Sequence, residues 1–264
     1  MDDSTLKERI TTRWDKGSWH YDSHVAHGIG TPDEKRLWMD AFSAVLPDRR
    51  SIVLDVGCGT GAMGLILSEM GHTVTGLDLS EKMMEIAGEK AKANGLSMTF
   101  ERGDAEETPF ENDAFDVVVN RHLLWTLPHP EKALSEWKRV VGPGGMVVVV
   151  DGRWDDGRPM TKFRRALGLK LEQLFIPQLR NAVCGYDETV QAALPNMGGV
   201  PEDRALKYFV DAGFSNAKIH DLGAIRSNQR KQLKWYQKVS PITSYYMVTG
   251  VKAWDGEENA SSGI

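Results

Sequence analysis

The chain is poor in cysteine, in excess positive charge and in long apolar runs. Its 264 residues include two cysteines, Cys58 and Cys184, too few for a disulfide framework and suited to a reducing compartment. A formal net charge of −5 offers nucleic acid no global attraction. No segment approaches the roughly 18 apolar residues that a membrane span requires. The start, Met1-Asp2-Asp3-Ser4, lacks an apolar signal core. Internal repeats and long low-complexity tracts are also missing. These absences predict a cytoplasmic protein without a membrane or nucleic-acid partner. The length suffices for one substantial core carrying an insertion.

What is present is concentrated at Ile52-Val53-Leu54-Asp55-Val56-Gly57-Cys58-Gly59-Thr60-Gly61. The β-branched run reads as a buried strand. The alternating glycines read as a turn that lets backbone approach a ligand, and a helix follows whose first amides face that ligand. Gly57, Gly59 and Ala62 satisfy a G-x-G-x-x-G/A pattern, with Asp78 at the offset of a ribose-binding acid. Asp55 is the discordant residue, because a carboxylate in that turn repels a pyrophosphate and suits a cationic or amine-bearing ligand. Alternatively it caps the helix that follows.

Apolar periodicity predicts an alternation of strands (51–56, 72–77, 98–102, 115–120, 145–151) and helices (61–70, 80–94, 130–140). Such alternation demands parallel strands with crossover helices on both faces. Thr31, Pro32 and Glu34 open an earlier helix through a cap and capping box, and Leu6 to Trp14 predicts a shorter one. Residues 152–200 break the rhythm with helices near 160–180 and 187–193. Helix 202–212 and strands 214–220 and 243–253 resume it. The tail from 255 to 264 is small and acidic and predicts disorder.

Five ordered motifs resemble those of the class I S-adenosylmethionine-dependent methyltransferases, in their type 11 small-molecule group. They are Asp55-x-Gly57-x-Gly59-x-Gly61, Leu77-Asp78-Leu79-Ser80, Gly103-Asp104-Ala105-Glu106, Phe115-Asp116-Val117-Val118-Val119 and Arg139-Val140-Val141-Gly142-Pro143-Gly144-Gly145. The resemblance covers roughly residues 35–151. It implies a doubly wound, mostly parallel seven-stranded sheet, Rossmann-like, with an antiparallel last strand and a helical cap insertion. The chain then divides into a lid segment (1–30), a cofactor-binding core (31–151), a substrate cap (152–200), the rest of the core (201–254) and the tail.

The same resemblance implies S-adenosylmethionine as cofactor and methyl transfer to a small-molecule acceptor, achieved by alignment and desolvation. Asp55 is expected near the methionyl amine, and Gly57, Cys58 and Gly59 beside the methionyl and ribose portion. Asp78 is expected on the ribose hydroxyls, Asp104 and Ala105 at the adenine edge, and Leu79 and Met83 on its face. Asn120 and Arg121 are expected to contribute backbone at the methionyl end. Trp14-Asp15 and Tyr21-Asp22 resemble the family's N-terminal entry, which folds over the cofactor. Tyr21 then covers the sulfonium, and His20, His24 or His27 is placed to take a proton. The three histidines also invite a metal reading, which the flanking glycines and the lack of a Cys or Glu disfavour. After the fourth strand, Arg121 and His122 are expected to face the cleft, with Leu123, Leu124 and Trp125 packing on the sheet.

Other readings compete. A nicotinamide-dependent oxidoreductase accounts for the glycines and Asp78 but not for Asp55. A non-catalytic binding protein accounts for the fold alone. The run Arg226 to Lys238, with five basic residues, Trp235 and Tyr236, reads as one basic helix that either touches RNA or is a solvated face. A homodimer is compatible with everything above.

Overall fold

The computed structural model describes residues 1–23, 27–176, 185–241 and 244–254. Its centre is a seven-stranded sheet ordered β3-β2-β1-β4-β5-β7-β6. The strands are β1 (Ile52–Val56), β2 (Thr73–Asp78), β3 (Met98–Arg102), β4 (Phe115–Arg121), β5 (Val141–Arg153), β6 (Ser215–Asp221) and β7 (Ser244–Val251). β1 pairs parallel with β2 and β4, and β7 runs antiparallel to both β5 and β6. The chain order reverses beside β1, so the ligand crevice of a doubly wound sheet opens at the carboxyl ends of β1 and β4.

Both faces of the sheet are buried, as crossover helices require. Val147 and Val149 join a core with Leu54, Val118, Trp137 and Phe209. Val148 and Val150 join the opposite core with Val53, Trp38, Phe42 and Leu67. Period-two alternation thus feeds two apolar layers from one strand.

The helices are α1 (Asp3–Gly17), α2 (Pro32–Ser43), α3 (Ala62–Glu69), α4 (Glu81–Ala93), α5 (Pro130–Val140), α6 (Pro159–Phe175), α7 (Glu188–Ala193), α8 (Glu202–Asp211) and α9 (Gly223–Gln232). Thr31 caps α2 and Ser80 caps α4, as their sequences predict. Glu34 takes the Gly30 amide (3.0 Å) instead of the cap residue's own N–H. α1 outruns its predicted span at both ends, because the Asp2 side chain caps it by accepting from the Thr5 amide.

Three other boundaries differ from expectation. β5 begins at Val141 because Gly142 to Gly145 form an irregularity within the ribbon: Phe115 pairs with Val141, but Val117 pairs with Met146. A Cβ on Gly145 would lie 2.6 Å from the Asp116 carbonyl oxygen, so only glycine fits there. α6 ends at Phe175, just before the Ile176-Pro177 step, where proline disfavours helix in the preceding residue. The basic run from Arg226 is not one helix: α9 stops at Gln232, and Trp235 and Tyr236 lie beyond it. The tail from 255, Cys184 and His24 lie outside the described residues.

A third, smaller apolar cluster joins Leu6 and Ile10 of α1 to Tyr186, Val190 and Leu194. The N-terminal helix and the segment around α7 therefore pack on each other.

Candidate functional site

Three hollows meet at the crevice. The first, about 90 Å³, is lined by Gly57, Gly59, Asp78, Leu79, Met83, Asp104 and Ala105 from the strand ends, and by Lys7, Ile10 and Trp14 from α1. The first three of the five predicted motifs thus share one wall. The volume is well below the roughly 300 Å³ of an ordinary ligand pocket, because α1 lies across the opening.

Asp78 ends β2 with each carboxylate oxygen held by backbone. Oδ2 accepts from the Gly59 amide and Oδ1 from the Ser80 amide, both at 2.8 Å. Burial raises its pKa against those two bonds. Gly59 has φ +52°, and a Cβ built on it would meet nothing within 4 Å, so its backbone is bare toward the hollow. A Cβ on Gly57 would lie 2.7 Å from Leu123 Cδ1, and its φ of +63° is strained for any residue with a side chain. A carboxylate fixed beside exposed backbone, over an apolar floor of Leu79, Met83 and Ala105, fits a ribose and a flat base.

Asp55 bonds the helix that follows, as the capping alternative expects. Its Oδ2 accepts from the Gly64 amide of α3 at 2.8 Å, so it ties the helix to the strand. It borders only a narrow crevice of about 20 Å³, with Tyr21, Cys58, Gly59 and Arg121. Burial raises it to about 7, against the Gly64 bond and the nearby Arg121 charge. Cys58 also borders only that crevice. Its Sγ packs so close to Gly76 that a Cβ there would be 2.9 Å away, and burial keeps the thiol protonated.

Asn120, expected to contribute backbone, keeps its side chain out of the hollows. That side chain is fully buried, and neither amide atom is hydrogen-bonded. Arg121, expected to contribute backbone and to face the cleft, borders the first hollow and the crevice, and its Nη2 donates to the His27 carbonyl. Asp104, expected to be open to a base, is already engaged: Oδ2 accepts from Lys7 Nζ (2.8 Å) and Oδ1 from the Glu106 amide (2.9 Å).

Lys7 is the element that sequence reasoning passed over. Its ammonium also meets Glu106 at 2.6 Å and Asp3 at 3.1 Å. Burial would lower it, but those three carboxylates outweigh burial and hold it above the ordinary lysine range. Two further contacts fasten the N-terminal segment. The Ser80 hydroxyl donates to Asp15 (2.5 Å), and the Thr60 hydroxyl donates to Asp22 (2.7 Å). Asp3, Glu106 and His129 converge as metal ligands would, but the Lys7 ammonium already sits among the two carboxylates.

The third hollow, about 470 Å³, is walled by rings: Trp14, His20, Tyr21, His27, His122, Trp125, Trp154 and Tyr245. Tyr21 stacks on His27 at 4.5 Å, His122 stacks on Tyr245 at 5.2 Å, and Trp125 meets Trp154 edge-on at 5.3 Å. Arg13, Arg165 and Arg226 also border it, and no Asp or Glu does among the described residues. His20 belongs to this hollow and not to the first.

Trp14, Tyr21 and His122 border both the first and third hollows. His122 holds φ +59°, a left-handed conformation that costs a non-glycine residue and turns its ring inward just past β4. Its Nδ1 is buried without a partner. Burial, then the Arg121 and His27 charges, lower its pKa well below 6.5. The ring is neutral at pH 7 and keeps an imidazole lone pair. Trp125 packs against the sheet core as expected and also borders the third hollow, and Leu124 is fully buried as expected.

A family model described as a methyltransferase domain matches residues 54–149. Demethylmenaquinone methyltransferase of Staphylococcus aureus is 32% identical over 222 residues, covering 83% of this chain and 90% of the relative. Among solved structures, the [4+2]-cyclase SpnF superposes with TM-score 0.63 at 19% identity, covering 92% of this chain and 96% of its own. Phosphoethanolamine N-methyltransferase 2 of Haemonchus contortus, in complex with S-adenosyl-L-methionine, gives 0.62 at 17% identity, covering 91% of this chain and 57% of that one. The two superpositions establish a shared fold, on which one neighbour is a cyclase and the other a methyltransferase. The nearly full-length alignment reaches further: the chain belongs to the S-adenosylmethionine-dependent methyltransferases, enzymes that take S-adenosylmethionine as cofactor.

Proposed function

We propose that the ring-walled hollow binds a planar, aromatic small-molecule acceptor, and that methyl transfer occurs at the Trp14–Tyr21–His122 partition. The observation that carries this reading is the sharing of those three residues by the two hollows. The cofactor supplies an electrophilic methyl group. Asp78 holds its ribose, the Gly57–Gly59 backbone admits its chain, Asp55 and Arg121 lie at the methionyl end, and Leu79, Met83 and Ala105 cover the base with Asp104 at its edge.

His122 accepts the proton that the acceptor's nucleophilic atom loses. It is neutral at pH 7 and its buried Nδ1 is unpartnered, so the ring is in the unprotonated form that a base must have before it takes a proton. Tyr21 borders the partition, where an aromatic ring favours a cation. Of the residues predicted for catalysis, Tyr21 keeps a place at the reacting end. His20 becomes an acceptor contact, and His24 lies outside the described residues.

The named relatives act on a quinone precursor, demethylmenaquinone, and on phosphoethanolamine. Stacked rings favour the former kind of acceptor, because flat π-systems gain from offset and edge contacts, whereas a small alkyl amine does not. The arginines and the absence of acids also oppose an ammonium acceptor. Family membership sets aside the nicotinamide reading. A panel of reduced quinones, phenols and alkyl amines, assayed by transfer of a labelled methyl group, tests the proposal. Turnover of phenols or quinols and none of alkyl amines is expected; the reverse preference would overturn it.

A further inference from the structure

Helix α6 turns an apolar stripe toward solvent. Met160, Phe163, Leu167 and Leu174 recur at the three-, four- and seven-residue steps that share one helical face, and are 65, 63, 39 and 60% exposed. The inner side of the helix is committed. Arg164 Nε donates to the Val239 carbonyl (3.0 Å), Arg165 Nη1 donates to the Trp154 carbonyl (2.6 Å), and Phe175 stacks on Tyr236 at 4.7 Å. The stripe is therefore what remains after α6 has packed. Trp235 meets Phe175 at 5.5 Å and is itself 65% exposed, which extends the patch.

The charge on this face is opposite to that of the molecule. Residues 158–176 hold five basic side chains and one acid, and residues 226–238 hold five basic side chains and no acid, in a chain of net charge −5. A second copy offering the same face across a two-fold axis would set basic residues against basic residues. A polyanion without apolar depth would leave Phe163, Leu167 and Leu174 in water. Anionic lipid satisfies both features, since an amphipathic helix lying in the headgroup plane buries its apolar side and pairs its basic flanks with phosphates.

We propose that α6, together with the segment after α9, docks this enzyme onto an anionic lipid surface. At about 25 Å for 17 residues, the helix lies on the bilayer. Among the described residues, no helix is long and apolar enough to cross one. Arg165 of the same helix borders the acceptor hollow, so docking places the cap of that hollow against lipid. The proposal stands apart from the identity of the acceptor.

Co-sedimentation with phosphatidylcholine vesicles, with and without phosphatidylglycerol, tests it. The full chain is expected to pellet with the anionic vesicles at least about tenfold more strongly than with the neutral ones, and less as salt rises. Phe163→Ser/Leu174→Ser and, separately, Lys162→Glu/Lys170→Glu should each weaken partition by about tenfold or more. Both variants should keep the wild-type circular dichroism and S-adenosylhomocysteine affinity, which shows that they fold. Failure of the wild type to bind anionic vesicles would overturn the proposal. So would a wild-type dimer that the Phe163→Ser/Leu174→Ser pair dissociates, or tighter binding to a single-stranded oligonucleotide that this pair leaves intact.

Discussion

Asp78 and Trp154 border neighbouring hollows, yet they are held by different means. Asp78 is fixed by two backbone amides within a turn that its own strand dictates. Trp154 is placed by ring contacts with Trp125 and His122 and by backbone bonding to Gly198, residues distant in the chain. The hollow proposed for the donor is a backbone construction and tolerates little change of geometry. The hollow proposed for the acceptor is a side-chain construction in which rings can be exchanged while the sheet stays as it is. The difference implies that the two functions separate on mutation.

The largest effect should come where the two sides meet. His122→Gln is expected to lower kcat by about 100-fold or more while leaving the cofactor Kd unchanged. Wild-type activity should persist below the ordinary histidine range, since the folded pKa is depressed. Steady-state kinetics against pH, paired with calorimetry, checks both. A variant with wild-type kcat would remove the base and return attention to Tyr21.

Next, Lys7→Ala removes the centre of a half-buried charge cluster and leaves Glu106, whose side chain is fully buried, without its partner. Breaking such a pair costs about 3–5 kcal/mol, and most of it should appear as loosening of α1. Hydrogen exchange of the α1 amides should accelerate by at least about tenfold, with β1 and β4 unaffected. Equal acceleration throughout would show that lid and sheet open as one unit.

Trp125→Ala and Trp154→Ala should each raise the acceptor KM by about tenfold, from lost aromatic contact area. The KM for S-adenosylmethionine should not move. A rise in both constants would mean that the rings support the donor hollow as well.

The smallest effect concerns Asp151, a fully buried residue near the end of β5. Burial, against amide bonds from Gly152, Leu124 and Trp125, raises it from 3.8 to about 8. Below pH 3.8 it is protonated in both folded and unfolded states, and its stabilising contribution is complete. Above that the unfolded chain ionises first, so stability is lost as pH rises toward 8. Asp151→Asn should flatten this part of the melting profile, by about 2–4 °C for each kcal/mol relieved. Histidines with lowered pKa act in the opposite sense below pH 6.5, so the comparison is variant against wild type at each pH.

Legibility followed the same division. Glycines at positive φ, acids at strand ends and helix caps are local constraints, so Gly57, Gly59, Asp78, Ser80 and the order of strands were readable from the chain. The Lys7–Asp104 bond spans 97 positions and carries no local signal. The acceptor wall draws rings from α1, the turn after β4, the end of β5 and β7, which only the topology brings together. His122 was visible as a residue near the cleft. Its inward turn depends on a left-handed backbone that no histidine advertises. Asp55 carries a second role that motif position alone does not separate from ligand contact, because its carboxylate also ties a helix to its strand.

The separation of donor and acceptor sides is tested most directly by titrating S-adenosylhomocysteine into Asp78→Ala and Trp154→Ala in a calorimeter. Removing a half-buried, hydrogen-bonded carboxylate should weaken Kd by about 10- to 100-fold in Asp78→Ala, with wild-type affinity in Trp154→Ala. Equal weakening in both variants, or weakening in Trp154→Ala alone, would contradict it.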